Sequence, residues 1–186
     1  MRTIVSLPAV ETPSLILREI EARDAAAFCN FMMQEDYQRF IAVRYHRPAE
    51  IAAFVGRAVS RQTDERRNVY HLAAEEKPTG EAIGDGFLII GKPGSVEVGW
   101  GLHPAMWQMG LGTEIGTALL GLAFERLGAR QAWCKVMSGN TASARLAQRI
   151  GMAHVAAHPD YPVTSGQYGK VDVYAIAAEA YFESGY

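Results

Sequence analysis

Three strand-like runs joined by tight turns, followed by one apolar helix and one more strand, constrain this chain more than anything else in it. VYHLAAEE (69–76) ends at Lys77-Pro78-Thr79-Gly80, EAIGDGFLII (81–90) ends at Gly91-Lys92-Pro93-Gly94, and SVEVGWGL (95–102) runs into a glycine-bearing loop. Connections this short join antiparallel neighbours. The apolar stretch from about Thr113 to Leu127 reads as a helix ended by Gly128, and QAWCKVM (131–137) as the strand after it. A helical crossover sets strands 95–102 and 131–137 side by side and parallel.

The flanks complete the pattern. LILREIE (15–21) alternates as a strand, with Leu15, Leu17 and Glu19 facing one way and Ile16, Arg18 and Ile20 the other. Arg23 and Asp24 open an alanine-rich helix to about Met33, and residues 34–47 are irregular and aromatic. Pro48 suits the first turn of a second helix, whose stripe is Ile51, Phe54, Val55, Ala58 and Val59. The patch Asp64-Glu65-Arg66-Arg67 reads as a solvated helix end. Asn140 is placed to cap a helix that Gly151 ends, and MAHVAAH (152–158) and KVDVYAIAAEAY (170–181) are the last strands. The expected fold is α/β of the α+β kind: one domain over 1–186, with 1–13 a loose lead-in. Its central mixed, mostly antiparallel sheet has about seven strands, flanked by about four helices.

Charge and cysteine usage exclude several classes. Eighteen Lys and Arg against twenty Asp and Glu give a net charge of −2, with no basic stripe for nucleic acid. Two cysteines, Cys29 and Cys134, make no disulfide framework, and five scattered histidines make no metal site. No run reaches the roughly 18 apolar residues of a membrane span, and the start lacks a signal-peptide core. A cytoplasmic protein without metal, membrane or nucleic-acid partner is expected.

The segment Trp107-Gln108-Met109-Gly110-Leu111-Gly112-Thr113 carries the chemistry. It lies between a strand and a helix, where unpaired N–H groups and the helix dipole attract an anion. A P-loop needs a Lys after the last glycine, and Gly112-Thr113 has none. The glycines at 110, 112 and 116 loosely fit a dinucleotide fingerprint. That motif wants its first glycine directly after the strand and an acid about 20 residues on; strand 131–137 carries no acid.

A third reading is a resemblance. The run Glu97-Val98-Gly99-Trp100-Gly101-Leu102-His103-Pro104-Ala105-Met106-Trp107-Gln108-Met109-Gly110-Leu111-Gly112-Thr113-Glu114 resembles the GNAT family of N-acetyltransferases, in the RimJ/RimL-type branch. The family's pyrophosphate loop reads Q/R-x-x-G-x-G/A; Gly110 and Gly112 match, and Trp107 stands for Gln/Arg, as is frequent in that branch. Asn140-Thr141-Ala142-Ser143 with Gly151-Met152 matches a second motif.

The resemblance implies an acetyl-CoA-dependent enzyme, with an amine attacking the thioester directly. Met109, Gly110, Leu111, Gly112 and Thr113 would hold the pyrophosphate by backbone N–H groups, while Glu114 compensates the helix dipole. Gly101, Leu102 and His103 would bond the pantetheine arm as a pseudo-strand. Asn140 would contact the cofactor as well as cap its helix, and Ser143 would lie near the thioester. Glu97 is the candidate base for the amine. Many relatives carry a Tyr acid seven positions after the Asn; here Ala147 occupies it, leaving Ser143, Tyr161, Tyr168 or Tyr174. The acceptor would be a protein N-terminus or an amine-bearing small molecule, bound by segments 34–47 and 156–170, whose aromatic residues include Tyr37, Phe40 and Tyr45. A homodimer is a family expectation, and a non-catalytic acyl-CoA sensor is the alternative class.

Overall fold

A computed structural model describes residues 6–41, 43–164 and 167–185, without the side chains of 163, 164, 167 and 168. Eight strands form one sheet in the order β1-β2-β3-β4-β5-β6-β8-β7. They are β1 (Val10–Glu11), β2 (Leu15–Glu19), β3 (Val69–Glu76), β4 (Ala82–Ile90), β5 (Ser95–Leu102), β6 (Gln131–Met137), β7 (Ala153–Thr164) and β8 (Gln167–Ala177). The helices are α1 (Asp24–Met32), α2 (Glu35–Gln38), α3 (Pro48–Ser60), α4 (Leu111–Gly121), α5 (Thr141–Arg149) and α6 (Ala178–Glu183). α4 runs on into a π turn at Leu122–Arg126, after which Gly128 turns the chain at φ 64°.

The expected antiparallel meander and parallel crossover are present. The additional strand is β1, within the stretch expected as a lead-in, of which residues 1–5 lie outside the described residues. Val10 and Glu11 pair with Leu17 and Ile16, and Leu7 is buried. Glu114 clamps this segment to the first turn of α4, accepting from Thr12 Oγ1 at 2.5 Å and Ser14 N at 2.9 Å. Burial raises the Glu114 pKa, but those two bonds outweigh it and hold the carboxyl below its ordinary range. The added helices are the short α2, in the stretch expected to be irregular, and α6, which replaces the end of the last strand. β7 and β8 extend into a long hairpin with register shifts, so segment 156–170, expected as a variable segment, is strand over 156–164 and 167–170.

The sheet separates two cores. On one face α4 and α5 pack Leu111, Ile115, Leu119 and Ala147 against Leu15, Leu17, Leu88, Val96 and Val98. On the other, α1, α2 and α3 pack Phe28, Phe31, Tyr37, Ile51 and Val55 against Ile20 and Ala73. α4 and α5 lie close because a Cβ at Gly112 would stand 2.7 Å from Leu146, and one at Gly116 2.9 Å from Ile150. The glycines at 112 and 116 are therefore helix-packing residues as well as members of a loop motif.

Buried charge anchors the α1–α3 face. Arg18 donates to both oxygens of Asp24 at 2.8 Å and to Glu75 at 2.7 Å. Arg67, expected in a solvated patch, is buried, bonds both oxygens of Glu19 and lies over the Tyr70 ring. Asp24 is 3% exposed; burial pushes its carboxyl up, but the Arg18 hydrogen bonds and the Glu21 N–H outweigh that and hold it below its ordinary value. A depressed folded pKa gives stability present above the unfolded value and lost as pH falls through the folded one. Asp24→Ala leaves Arg18 with one carboxylate fewer in a desolvated site and is expected to cost about 3 kcal/mol. Urea unfolding at neutral pH checks this, and the difference between the two proteins shrinks in acid.

Candidate active site

The site begins where two strands part. β5 and β6 share three rungs, Ser95–Gln131, Val96–Ala132 and Glu97–Trp133. From there β5 stays on β4 as far as Leu102, while β6 continues on β8. An open side is left along the second half of β5. Backbone groups alternate across a strand. The His103 N–H donates to the Ile83 carbonyl at 2.8 Å, so Gly101 and Gly99 also address β4, whereas Trp100 and Leu102 address the opening. Of Gly101, Leu102 and His103, only Leu102 offers its backbone there, and its carbonyl accepts from Trp107 Nε1 at 3.0 Å. The backbone of Trp100 also faces that opening. The His103 side chain instead accepts from Ala105 N at 3.0 Å through Nδ1.

At the end of β5 the chain passes through Pro104–Met106 and turns into α4. Gln108 has φ 66°, the one positive value outside glycine among the described residues, and Gly110 follows at φ 83° as the cap of α4. The Thr113 N–H is used by the Gly110 carbonyl at 2.9 Å. The N–H groups of Met109, Gly110, Leu111 and Gly112 have no acceptor among the described residues. Four consecutive free donors at the positive end of a helix form a nest for a phosphate-type anion. Trp107 and Met109 flank it, 45% and 64% exposed.

The start of α5 faces the same opening. Asn140 Oδ1 accepts from Ser143 N at 3.1 Å, the capping bond expected of it. Ser143 Oγ accepts from Trp100 Nε1 at 3.1 Å, tying the unpaired part of β5 to α5. That bond leaves the Ser143 hydroxyl hydrogen available as a donor. Ala147 is wholly buried in the core one turn further on.

On the opposite face of β5 the odd-numbered residues line up. Glu97 forms an ion pair with Lys135 at 3.0 Å, and Lys135 also donates to Tyr161 Oη at 3.3 Å. The Glu97 carboxylate, expected to be a waiting base, already has a cation on it. Tyr161 likewise is engaged, and Tyr174 is buried against His154; the Tyr168 side chain lies outside the described residues. Gly99 and Gly101 are glycine because neighbours occupy the space. A Cβ would strike the Phe87 ring at the first, and Asp85 Oδ1 and Tyr37 Oη at the second. Tyr37 Oη donates to Asp85 Oδ1 at 2.6 Å. Sequence reading missed Asp85, Lys135 and the Trp100–Ser143 bond; the acid in IGDGF, on a strand otherwise apolar, was the one visible signal. Cys134 is buried 3.8 Å from Met152 Sδ, and burial pushes its thiol up to about 12, which removes it as a nucleophile.

The anion nest, the opened strand pair and the small residues along β5 fit a linear phosphorylated thioester. Among the described residues no group of three or more His, Cys, Asp or Glu is placed to hold a metal, and no helix is long and apolar enough to cross a membrane. Comparison with known proteins agrees with the geometry. The acetyltransferase (GNAT) domain family matches over residues 14–153. The uncharacterized N-acetyltransferase YoaA of Bacillus subtilis (strain 168) is 26% identical over 171 residues, 91% of this chain and 96% of that one. The GNAT-family acetyltransferase of Bacillus anthracis superposes with a TM-score of 0.81 at 17% identity, covering 92% of this chain and 99% of that one. The RimL ribosomal L7/L12 alpha-N-protein acetyltransferase in complex with coenzyme A gives 0.78 at 16% identity, with 93% and 99% covered. With the fold, the nest and a family match over most of its length, this chain belongs to the GNAT family of acetyltransferases.

Proposed function

We propose that the protein moves an acetyl group from acetyl-CoA to a primary amine by direct attack, with the donor seated along the opening between β5 and β6. The observation that carries this reading is the run of four unpaired N–H groups, Met109 to Gly112, at the foot of a strand pair that separates after three rungs. The pyrophosphate suits the N–H groups of Met109, Gly110, Leu111 and Gly112, whereas that of Thr113, which the resemblance also assigned to it, is taken by the Gly110 carbonyl. The pantetheine arm suits the backbone of Trp100 and Leu102. Asn140, at the α5 cap, borders the same channel. When bound, acetyl-CoA supplies an electrophilic carbonyl and a thiolate leaving group.

The chain's own groups then have defined tasks. Ser143 Oγ, held by Trp100 Nε1, offers its proton where a thiolate leaves. The Glu97–Lys135 pair sits at the closed end of the opening, and its carboxylate orients Lys135 toward Tyr161. The acceptor is a protein N-terminal amine, as in the RimJ/RimL-type branch, or a small amine. Cytoplasmic acetyl-CoA and two free cysteines, Cys29 and Cys134, suit a reducing compartment. A homodimer in solution accords with the family. One observation favours the second reading, a non-catalytic acyl-CoA sensor: Ala147 supplies no acid at the position where many relatives have Tyr.

Acetyl-CoA is expected to bind saturably in calorimetry and to be displaced by inorganic pyrophosphate, whereas NADPH should not bind. Gly110→Val places a β-branched residue at φ 83°, where nothing lies within 4 Å of a Cβ but the backbone is disfavoured. About tenfold weaker binding is the expected result, and unchanged affinity would detach the donor from this loop. Ser143→Ala is expected to lower kcat by about tenfold to a hundredfold with acetyl-CoA affinity unchanged. Release of free thiol with an amine panel reads this directly, and binding without release under every amine would leave the sensor reading standing.

A further inference from the structure

We propose that Asp85, gripped by Tyr37, is the acceptor subsite: its Oδ2 receives the acceptor as an alkylammonium ion and takes the proton that frees the nitrogen lone pair. The proposal rests on the acetyl-transfer reading above. It assigns to a β4 side chain the task that sequence resemblance gave to Glu97.

Position argues first. Glu97 lies at the last rung that β5 shares with β6, and Lys135 lies on it at 3.0 Å. Asp85 pairs with Gly101, inside the unzipped half of β5. Its carboxylate fills the space above the Gly101 Cα, on the sheet face opposite the Trp100–Ser143 bond. Donor and acceptor groups thus approach the thinned part of β5 from opposite faces, with only a glycine backbone between them.

Pairing argues second. Oδ1 accepts from Tyr37 Oη at 2.6 Å. Oδ2 has no hydrogen bond and no ion pair among the described residues, yet it is not among buried polar atoms left without a partner. It therefore keeps some exposed surface through which a ligand donor can reach it. The cross-strand neighbours of Asp85 are small, Ala73 on β3 and Gly101 on β5; the Phe31 ring packs on Tyr37, and Phe87, two positions along β4, faces His71. A carboxylate in an apolar cleft with one open oxygen recognises a cationic nitrogen rather than a neutral hydroxyl.

His71 of β3 lies diagonally across from Asp85 on the same face, against the Phe87 ring, and burial pushes its imidazole down to about 4, so it is neutral beside Asp85. Tyr37 faces Asp85 from α2 and Tyr45 from the segment after α2; Arg57 of α3 acts on Tyr45. His103, two residues beyond Gly101, is turned to Ala105 N and to Gln34 at 3.4 Å. β3 and β5 present uncharged residues directly opposite it. Burial pushes the Asp85 carboxyl up to about 6, against the lowering effect of the Tyr37 bond. The group is ionised above that pH and is a stronger base than a surface Asp.

The step balances without another reactant. The R–NH3+ group gives one proton to Asp85 Oδ2. Its lone pair forms the C–N bond at the thioester carbonyl, the C–S bond breaks, and the sulfur leaves with the electron pair. The Ser143 hydroxyl gives its proton to that thiolate and is restored by the second nitrogen proton, and Asp85 returns its proton to solvent.

The test follows the Asp85 carboxyl carbon by NMR in the full-length protein, labelled at aspartate and assigned with Asp85→Asn, during a pH titration. Adding n-butylammonium chloride is expected to lower the midpoint by about one unit, and n-butanol to leave it unchanged. An unmoved midpoint, or an equal response to the alcohol, overturns the proposal. This readout needs no acetyl-CoA, so failure of acetyl-CoA binding would strike the transfer reading alone. In turnover with an amine, Asp85→Asn is expected to lower kcat/KM for the amine by at least about a hundredfold while acetyl-CoA affinity holds. Tyr37→Phe, which keeps the ring packing, is expected to move the acid limb of the pH profile upward. Retention of activity within threefold by folded Asp85→Asn overturns the proposal.

Discussion

β5 and β6 run parallel for three rungs and then separate, and the site is a consequence of that separation. A strand that loses its neighbour leaves peptide groups unsatisfied along one edge. Here the loss falls on Trp100 and Leu102, and partial compensation is visible. Trp107 folds back onto the Leu102 carbonyl, and Trp100 reaches across to Ser143. The chain tolerates the separation because β4 holds β5 through Leu102 and β8 holds β6 along its whole length. Each half of the sheet is stable without the missing rungs, so the opening survives folding.

The parts that were legible in the sequence are those whose cause is local. Turn glycines and prolines bounded β3, β4 and β5; an apolar helical period marked α4; Asn140 announced a cap three residues before the N–H it binds. The anion nest was readable from Gly110 and Gly112 because a helix start and a left-handed glycine suffice to make it. The parts that were not legible depend on register between distant segments. Lys135 meets Glu97 across 38 positions and Tyr37 meets Asp85 across 48, and no local pattern encodes either meeting. β1 was missed because a two-residue strand has no period to detect. Arg67 was misread as solvated because its partner, Glu19, lies 48 residues earlier on another strand.

Several small residues answer to two demands at once. Gly112 exposes an N–H at the head of α4 and also lets Leu146 of α5 approach its Cα. Gly101 keeps one face of β5 bare and admits the Asp85–Tyr37 pair. Such positions look like loop or strand glycines in one dimension and are contact points in three. Their substitution would perturb packing and chemistry together, so Gly110, where an added Cβ would meet nothing within 4 Å, is the cleaner position for probing the loop.

The sheet also acts as a partition. The groups suited to the acyl donor, on α4, α5 and the loop between β5 and α4, rest on the core centred at Ile115 and Leu119. The helices α1 to α3, with Tyr37 and the wall around Asp85, rest on a separate core centred at Phe28 and Phe31. The two meet along the bare stretch of β5 and at His103 just beyond it, which lies against Phe31 and Gln34. On the proposed reading, changes within α1 to α3 would remodel which nucleophile is admitted while the machinery for the shared donor stays as it is. An architecture insulated in this way diversifies one half of its chemistry without re-inventing the other.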